Sequence, residues 1–368
     1  MNKIKFLLPL LALFVSVCAN AIVAAGDCGK NGNNVTWDLA GDGTLTLYGS
    51  GEMMDFDAVN DAPWFSNVED IKMLKINEGV TSIGLNAFGF CYNLTSVTIP
   101  NSVTKIESEA FSDCISLNSV TISNSLTNIA DYTFYGCSSL TSVTIPNSVT
   151  TIGSSAFNCC RKLTSVTIPN SVNSLGEKAF QGCSGLTSVS ISNSITKIQD
   201  WTFSGCSSLT SVSIPNSVKI IGCFSFADCN SLTSVSIPSS VTYIEERVFY
   251  KCAKLTKVNC EATKVPGVGT KIFDGVPVSS VTLTVPLVVV EDYKNAEQWK
   301  DFGNIKAIKE LSAADVNGDN IVNISDVTAL VNIILGKAVD KNGTADVNGD
   351  NIVNISDVTT LVNIILGK

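Results

Sequence analysis

A strict 23-residue period restricts this chain more than any other feature. Leu94, Leu117, Leu140, Leu163, Leu186, Leu209, Leu232 and Leu255 recur at 23-residue intervals without a slip. Phe88, Phe111, Phe134, Phe157, Phe180, Phe203, Phe226 and Phe249 keep the same spacing. Chance does not hold a register over eight units, and a fixed period of roughly 20–50 residues marks a stacked repeat architecture. Within one unit, Leu140, Val143 and Ile145 end in alternation around Thr144, the pattern of a short half-buried strand. Pro146 then stops the ladder, because proline has no N–H to donate. Val149, Ile152 and Phe157 carry a second set of apolar side chains as the chain turns back. One unit cannot bury both sets alone, whereas stacked units share a continuous core. With strands ~4.8 Å apart, eight coils make a rod of roughly 40 Å.

Composition narrows the functions open to such a rod. The 368-residue chain has a formal net charge of −9 and no basic run, which argues against nucleic acid and anionic membranes as partners. It contains no histidine, so Ser-His and Cys-His nucleophilic pairs and histidine metal ligands are excluded. The expectation is a protein that is not an enzyme. Lys3 and Lys5, the apolar stretch from Phe6 to Val17, and Ala19-Asn20-Ala21 have the form of a secretory signal, with the mature chain expected from near Ile22. A lipid anchor on Cys18 is disfavoured by the bulky Val17 before it. No later segment is long enough for a helical membrane span.

The repeated unit, L-T-S-V-T-I-P-N-S-V-T-x-I-x-x-x-A-F-x-x-C, resembles the BspA-like branch of the leucine-rich repeats, found in bacterial surface proteins. Asn34-Val35-Thr36-Trp37, Asp42-Gly43-Thr44-Leu45-Thr46 and Pro63-Trp64 resemble that family's N-terminal cap. Val285-Pro286, Tyr293-Lys294 and Trp299-Lys300-Asp301-Phe302 resemble its C-terminal cap. Caps cover apolar core and open strand edges that an end coil would otherwise expose. The implied fold is an α/β-type repeat solenoid with short parallel strands, capped at both ends. Relatives of this type are associated with binding host matrix proteins.

Three sets of residues invite a chemical reading. Cys91, Cys114, Cys137, Cys160, Cys183, Cys206, Cys229 and Cys252 also follow the period. Metal sites cluster their thiols locally, so one cysteine per coil reads as an internal ladder of small apolar thiols. Thr98, Thr121, Thr144, Thr167, Ser190, Ser213 and Ser236 form an uncharged row at the outward strand position. They are candidates for contacting a protein or glycan, although threonine and serine also suit any solvent-facing strand. Glu52, Asp55, Asp57 and Asp61 in the N-terminal cap read as a solvated loop rather than a glycosidase pair.

The C-terminus carries the most specific chemistry. Asp315 to Asp326 recurs unchanged as Asp346 to Asp357, offset by 31 residues. Calcium takes oxygen ligands from loop positions 1, 3, 5, 7, 9 and 12. Those positions are Asp315, Asn317, Asp319, the Ile321 carbonyl, Asn323 and Asp326, then Asp346, Asn348, Asp350, the Ile352 carbonyl, Asn354 and Asp357. Two calcium ions are expected. Position 6 is Asn320 or Asn351 instead of glycine, and asparagine tolerates the left-handed conformation required there. Val327, Leu330, Val331 and Ile334 form one apolar helix face, repeated by Val358, Leu361, Val362 and Ile365, with Gly336 and Gly367 as helix stops. A loop followed by one helix, duplicated, resembles a type I dockerin. That resemblance implies a cohesin partner, but Ile324-Ser325 and Val331-Asn332 replace the Ser-Thr-like and Lys-Arg-like pairs of the familiar contact surface.

The expected organisation is a signal peptide over 1–21, an N-terminal cap over 22–70, leucine-rich repeats over 71–260, a C-terminal cap over 261–308, a linker over 309–314 and a dockerin-like module over 315–368. The expected function is a secreted or cell-surface, non-catalytic adhesion protein, its solenoid contacting host protein or glycan and its calcium module serving as a tether. The alternative is a non-catalytic component of a polysaccharide-degrading assembly recruited by dockerin–cohesin pairing.

Overall fold

The computed structural model describes residues 21–308, 314–318, 322–340 and 343–366. The expected signal segment up to residue 20, most of the linker (309–313) and Gly367 lie outside the described residues. The chain divides into two units, Met1–Lys306 and Ala307–Lys368.

In the first unit each coil has three sides. Strands such as Ser96–Thr98, Ser119–Thr121 and Ser142–Val143 pair in parallel, each residue opposite the one 23 positions later. Two-residue strands such as Ser82–Ile83 and Lys105–Ile106 build a second parallel ladder. The third side is made of tight turns, and its backbone still bonds from coil to coil: Phe88 N–H donates to the Ala110 carbonyl at 2.8 Å, and Phe157 N–H to Ala179 at 2.8 Å. Every side of the coil therefore satisfies its backbone through its neighbours, which is why a single unit has no stable fold of its own.

The turns of the third side depend on left-handed backbone at two recurrent positions. Asn86, Glu109, Tyr132, Ser155, Lys178, Trp201, Phe224, Arg247 and Lys271 all have φ between 54° and 61°. Four residues further along, Phe90, Asp113, Gly136, Cys159, Gly182, Gly205, Asp228 and Lys251 are left-handed as well. The two reversals bring the phenylalanine between them into the core.

Those phenylalanines form one stack. From Phe88 to Phe273, ring centroids are 5.3–5.8 Å apart and nearly parallel. Trp64 extends the stack by one ring at 5.1 Å, and Trp37 closes it edge-on at 82°. At the other end Trp299 and Phe302 meet Phe273 edge-on, at 70° and 89°. Each fully buried phenylalanine stabilises the rod by about 1.5–3 kcal/mol relative to an exposed one.

The cysteine ladder runs beside the rings. All twelve cysteines among the described residues are free thiols. From Cys114 to Cys252, each periodic thiol donates at 3.1–3.4 Å to the carbonyl of the phenylalanine 26 residues earlier. The side chain thus has a polar task that a purely apolar reading omits. Burial pushes the Cys91 and Cys206 thiols up to about 12, so these two hold protonated, unreactive sulfur at neutral pH.

The ends are sealed differently. Strands Ile22–Gly29 and Gly32–Ala40 form an antiparallel pair, which Thr44–Gly49 extends and joins in parallel to Met73–Ile76. At the C-terminal end Thr282–Val285 continues the ladder, and the short helix Val290–Asn295 inserts Tyr293 into the core, its hydroxyl 3.1 Å from the Cys260 thiol.

The second unit contains helices Ile324–Ile334 and Ile355–Ile365, packed around Ala314, Val316, Leu330, Ala345 and Leu361. Each helix starts with an asparagine cap: Asn323 accepts from Ser325 N–H at 2.7 Å, and Asn354 from Ser356 N–H at 2.7 Å. Gly336, at φ 69°, ends the first helix.

Candidate functional site

The loop residues converge on the helix starts. Asp326 is wholly buried; its Oδ1 accepts from Asn317 N–H at 3.1 Å and its Oδ2 from Asn323 N–H at 2.9 Å. Asp357 repeats this with Asn348 N–H at 3.0 Å and Asn354 N–H at 2.8 Å. One carboxylate thereby closes the loop and caps the helix. Burial opposes ionisation of Asp357, but the backbone N–H donors outweigh it and hold its carboxyl below the usual value.

In the second loop Asp346 accepts from the N–H groups of Gly349, Asp350 and Asn351, and Asp350 accepts from Ile352 N–H. Asn351 has φ 65°, the bend needed at position 6. The Ile352 carbonyl accepts from the Asn354 side chain at 3.2 Å. In the first loop Asp315 is buried and accepts from Gly318 N–H at 2.9 Å. Asp319 and Ile321 lie outside the described residues, as does Asn320. The described candidate ligands are all oxygens, gathered around the buried carboxylates of Asp315, Asp326 and Asp357. That donor chemistry fits calcium.

Beside the loops are apolar residues the ligand pattern did not single out as exposed. Ile324 and Ile355, at the first helical positions, are 71% and 70% exposed. Leu335 and Leu366, just past the helix ends, are 58% and 59% exposed. The duplication itself was the signal for them: each occupies the same place in both copies.

On the solenoid, Thr98, Thr121, Thr144, Thr167, Ser190 and Ser213 are exposed and Ser236 is half-buried. Thr98 stands opposite Thr121, Thr167 opposite Ser190 and Ser213 opposite Ser236 in the ladder. The row flanking them is partly structural, since Thr95, Thr141, Thr164 and Thr187 donate to carbonyls of the preceding coil.

Aromatic and charged residues break the repeat on another side. Trp201 and Phe224 stack at 4.1 Å and 6°, and the Arg247 guanidinium lies 5.5 Å over the Phe224 ring. Arg247 pairs with Glu246 at 2.6 Å. Aligning the units exposes this cluster, because Trp201, Phe224 and Arg247 share one repeat position. Next to it, ligand atoms of Asp200, Cys223 and Glu245 lie within 4.8 Å of one another. Lys197 already sits 3.5 Å from Asp200 and 3.0 Å from Glu245. Cys223 N–H donates to both carboxylates, at 3.1 and 3.0 Å. Asp131 holds Ser154 N–H in the same way, at 2.7 Å, so these acids act as a turn clamp.

A capped parallel-strand solenoid with a duplicated loop–helix module defines a repeat-scaffold protein of the binding class. Residues 61–187 and 179–295 match the BspA type leucine-rich repeat region, in 6 copies, and residues 313–366 match the dockerin type I domain. The chain belongs to the BspA-type leucine-rich repeat family. Among solved structures it is similar to a leucine-rich repeat protein from Bacteroides ovatus, at 26% identity over 75% of this chain and 76% of that one, with a TM-score of 0.50. It is also similar to a Treponema pallidum leucine-rich repeat protein (25% identity, 53% and 86% covered, TM-score 0.42). A leucine-rich cell surface protein from Faecalibacterium prausnitzii matches at 24% identity, 66% and 96% covered, TM-score 0.35. A search of the curated proteins finds no match.

Proposed function

We propose that this chain is an exported adhesion protein whose solenoid holds a host protein or glycan while its C-terminal module, ordered by two calcium ions, tethers it to a cohesin-type protein. The observation that carries the tether is the duplicated pair Ile324 and Ile355. Two large apolar side chains about 70% exposed at equivalent helix starts give both copies of the module the same apolar contact point for a partner. The loop residues named above would hold calcium, which supplies the charge that lets these acidic loops close. Among the described residues no helix is long and apolar enough to cross a membrane. Ile324 and Val331, standing in the places of a Ser-Thr-like and a Lys-Arg-like pair, favour a partner surface less polar than the one those pairs would meet.

The same tether serves the alternative role in a polysaccharide-degrading assembly. The test is capture from culture and host extracts by the full chain, with and without a calcium chelator, beside the double variant Ile324→Asp/Ile355→Asp. A tether partner is lost both on chelation and in the variant, whereas a solenoid partner is kept in both. If every captured protein survives both treatments, the tether reading fails.

A further inference from the structure

We propose that Ser325 and Ser356 are positioning residues for calcium. Each hydroxyl orients the side-chain amide of the third loop residue, Asn317 or Asn348, so that the amide presents its oxygen to the ion and not its nitrogen. The proposal rests on the calcium reading above and adds to it two residues outside the set of loop ligands.

The same bond occurs in both loops. Asn317 Nδ2 donates to Ser325 Oγ at 2.7 Å, and Asn348 Nδ2 donates to Ser356 Oγ at 2.7 Å. The main chain of each asparagine is tied to the next residue along the helix. Asn317 N–H donates to Asp326 Oδ1 at 3.1 Å, and Asn348 N–H to Asp357 Oδ1 at 3.0 Å. A serine and the aspartate after it thus hold the side chain and the main chain of one loop residue. With the main chain held, the amide can still rotate about its own χ angles, whose last torsion has broad preferences. The serine bond restrains that rotation.

The two ends of an amide are opposite in character. The oxygen is an acceptor and the NH2 a double donor, so a reversed amide would turn N–H groups toward a cation and remove one oxygen ligand. In the second loop Asn348 Oδ1 accepts from Asp350 N–H at 2.9 Å, which sets the oxygen toward the loop backbone. That N–H is shared with Asp346 Oδ1 at 3.1 Å, so it holds the amide only in part. The serine at the other end of the amide completes the restraint.

The hydroxyls are not the helix caps. Asn323 and Asn354 are, and they accept from the serine backbone N–H groups, bonds that survive removal of Oγ. The residue before each serine, Ile324 or Ile355, is exposed, whereas each serine hydroxyl bonds to its own loop. The two neighbours therefore have separate tasks, one toward a partner and one toward the ion.

The test measures calcium binding to the full chain by calorimetry, with both loops titrated together. Ser356→Ala is expected to weaken one site about tenfold, as loss of a group that orients a metal ligand does, and to leave the other site unchanged. The unchanged site also shows that the module still folds. Ser356→Thr keeps a hydroxyl and should restore the affinity. In an Asn348→Ala background, Ser356→Ala should have no further effect, because no amide is left to orient. A hydroxyl that bound calcium itself, or that served only the helix, would keep its effect there, and that result overturns the assignment. Unchanged affinity in Ser356→Ala while both sites bind also overturns it and leaves the calcium reading standing. If the unaltered chain takes up no calcium, the calcium reading and this inference fall together.

Discussion

Gly205 sits in the second left-handed row with φ 73°, and a Cβ added there would meet only Gly182 Cα at 3.5 Å and Gly182 N at 3.6 Å. Those are ordinary contacts, so Gly205→Ala isolates the conformational cost. A loss of about 1–2 kcal/mol is expected, read from the shift of the urea midpoint at constant slope. A loss near zero would mean that the turn has an alternative conformation. Gly136, Gly182 and Gly205 made this row partly legible, since glycine recurs just before the periodic cysteine. The other left-handed row was not legible, because no glycine occupies it among the residues from Asn86 to Lys271. Stacking forces the conformation there, and coil-to-coil hydrogen bonds such as Trp201 N–H to the Cys223 carbonyl at 2.8 Å hold it.

The coil is the element of this protein, and its interior is set by one ring meeting the next. Phe157 lies 5.4 Å from Phe134 and 5.3 Å from Phe180, with no exposed surface. Phe157→Ala removes both ring contacts and leaves a cavity that neighbouring coils cannot close without breaking register. The expected cost is about 3–5 kcal/mol. Because a coil touches only its neighbours, the damage should be local. Hydrogen exchange should rise in the coils holding Phe134, Phe157 and Phe180 and stay near wild type at the Trp64 and Trp299 ends. Uniform loss of protection would show instead that the rod unfolds as a single unit. The ring spacing and the strand ladder followed from the period. The third, turn-built ladder did not, because turn residues on that side share no composition, only a backbone conformation. Thiol donation to the phenylalanine carbonyls was hidden for a related reason: cysteine in an apolar register looks like any small apolar residue until the carbonyl opposite it is known.

At the scale of the whole molecule, two units of different build share one chain, and they should respond differently to calcium. The solenoid is filled from Trp37 to Phe302 by a continuous apolar core and has backbone pairing along its length. Among the described residues, the C-terminal unit has Ala314, Val316, Leu330, Ala345 and Leu361 as its buried apolar set, with the wholly buried carboxylates of Asp326 and Asp357 beside them. A core that small rarely stabilises a domain without a disulfide or a metal, and all described cysteines are in the other unit. Folding of the module should therefore depend on the ion. At free calcium about a hundredfold above the dissociation constant, each loop adds about 2.7 kcal/mol, so two loops contribute about 5 kcal/mol. Calorimetry of the full chain should give two transitions in calcium. Chelation should move the module's transition down or abolish it while the solenoid's midpoint stays in place. Asp350→Ala should have a smaller effect in the same direction, because it removes one described oxygen donor from the second loop and leaves the first intact. If chelation shifted the solenoid transition as far as the module's, the two units would be folding as one. If the module's transition persisted unchanged, its acidic loops would be closing without a cation.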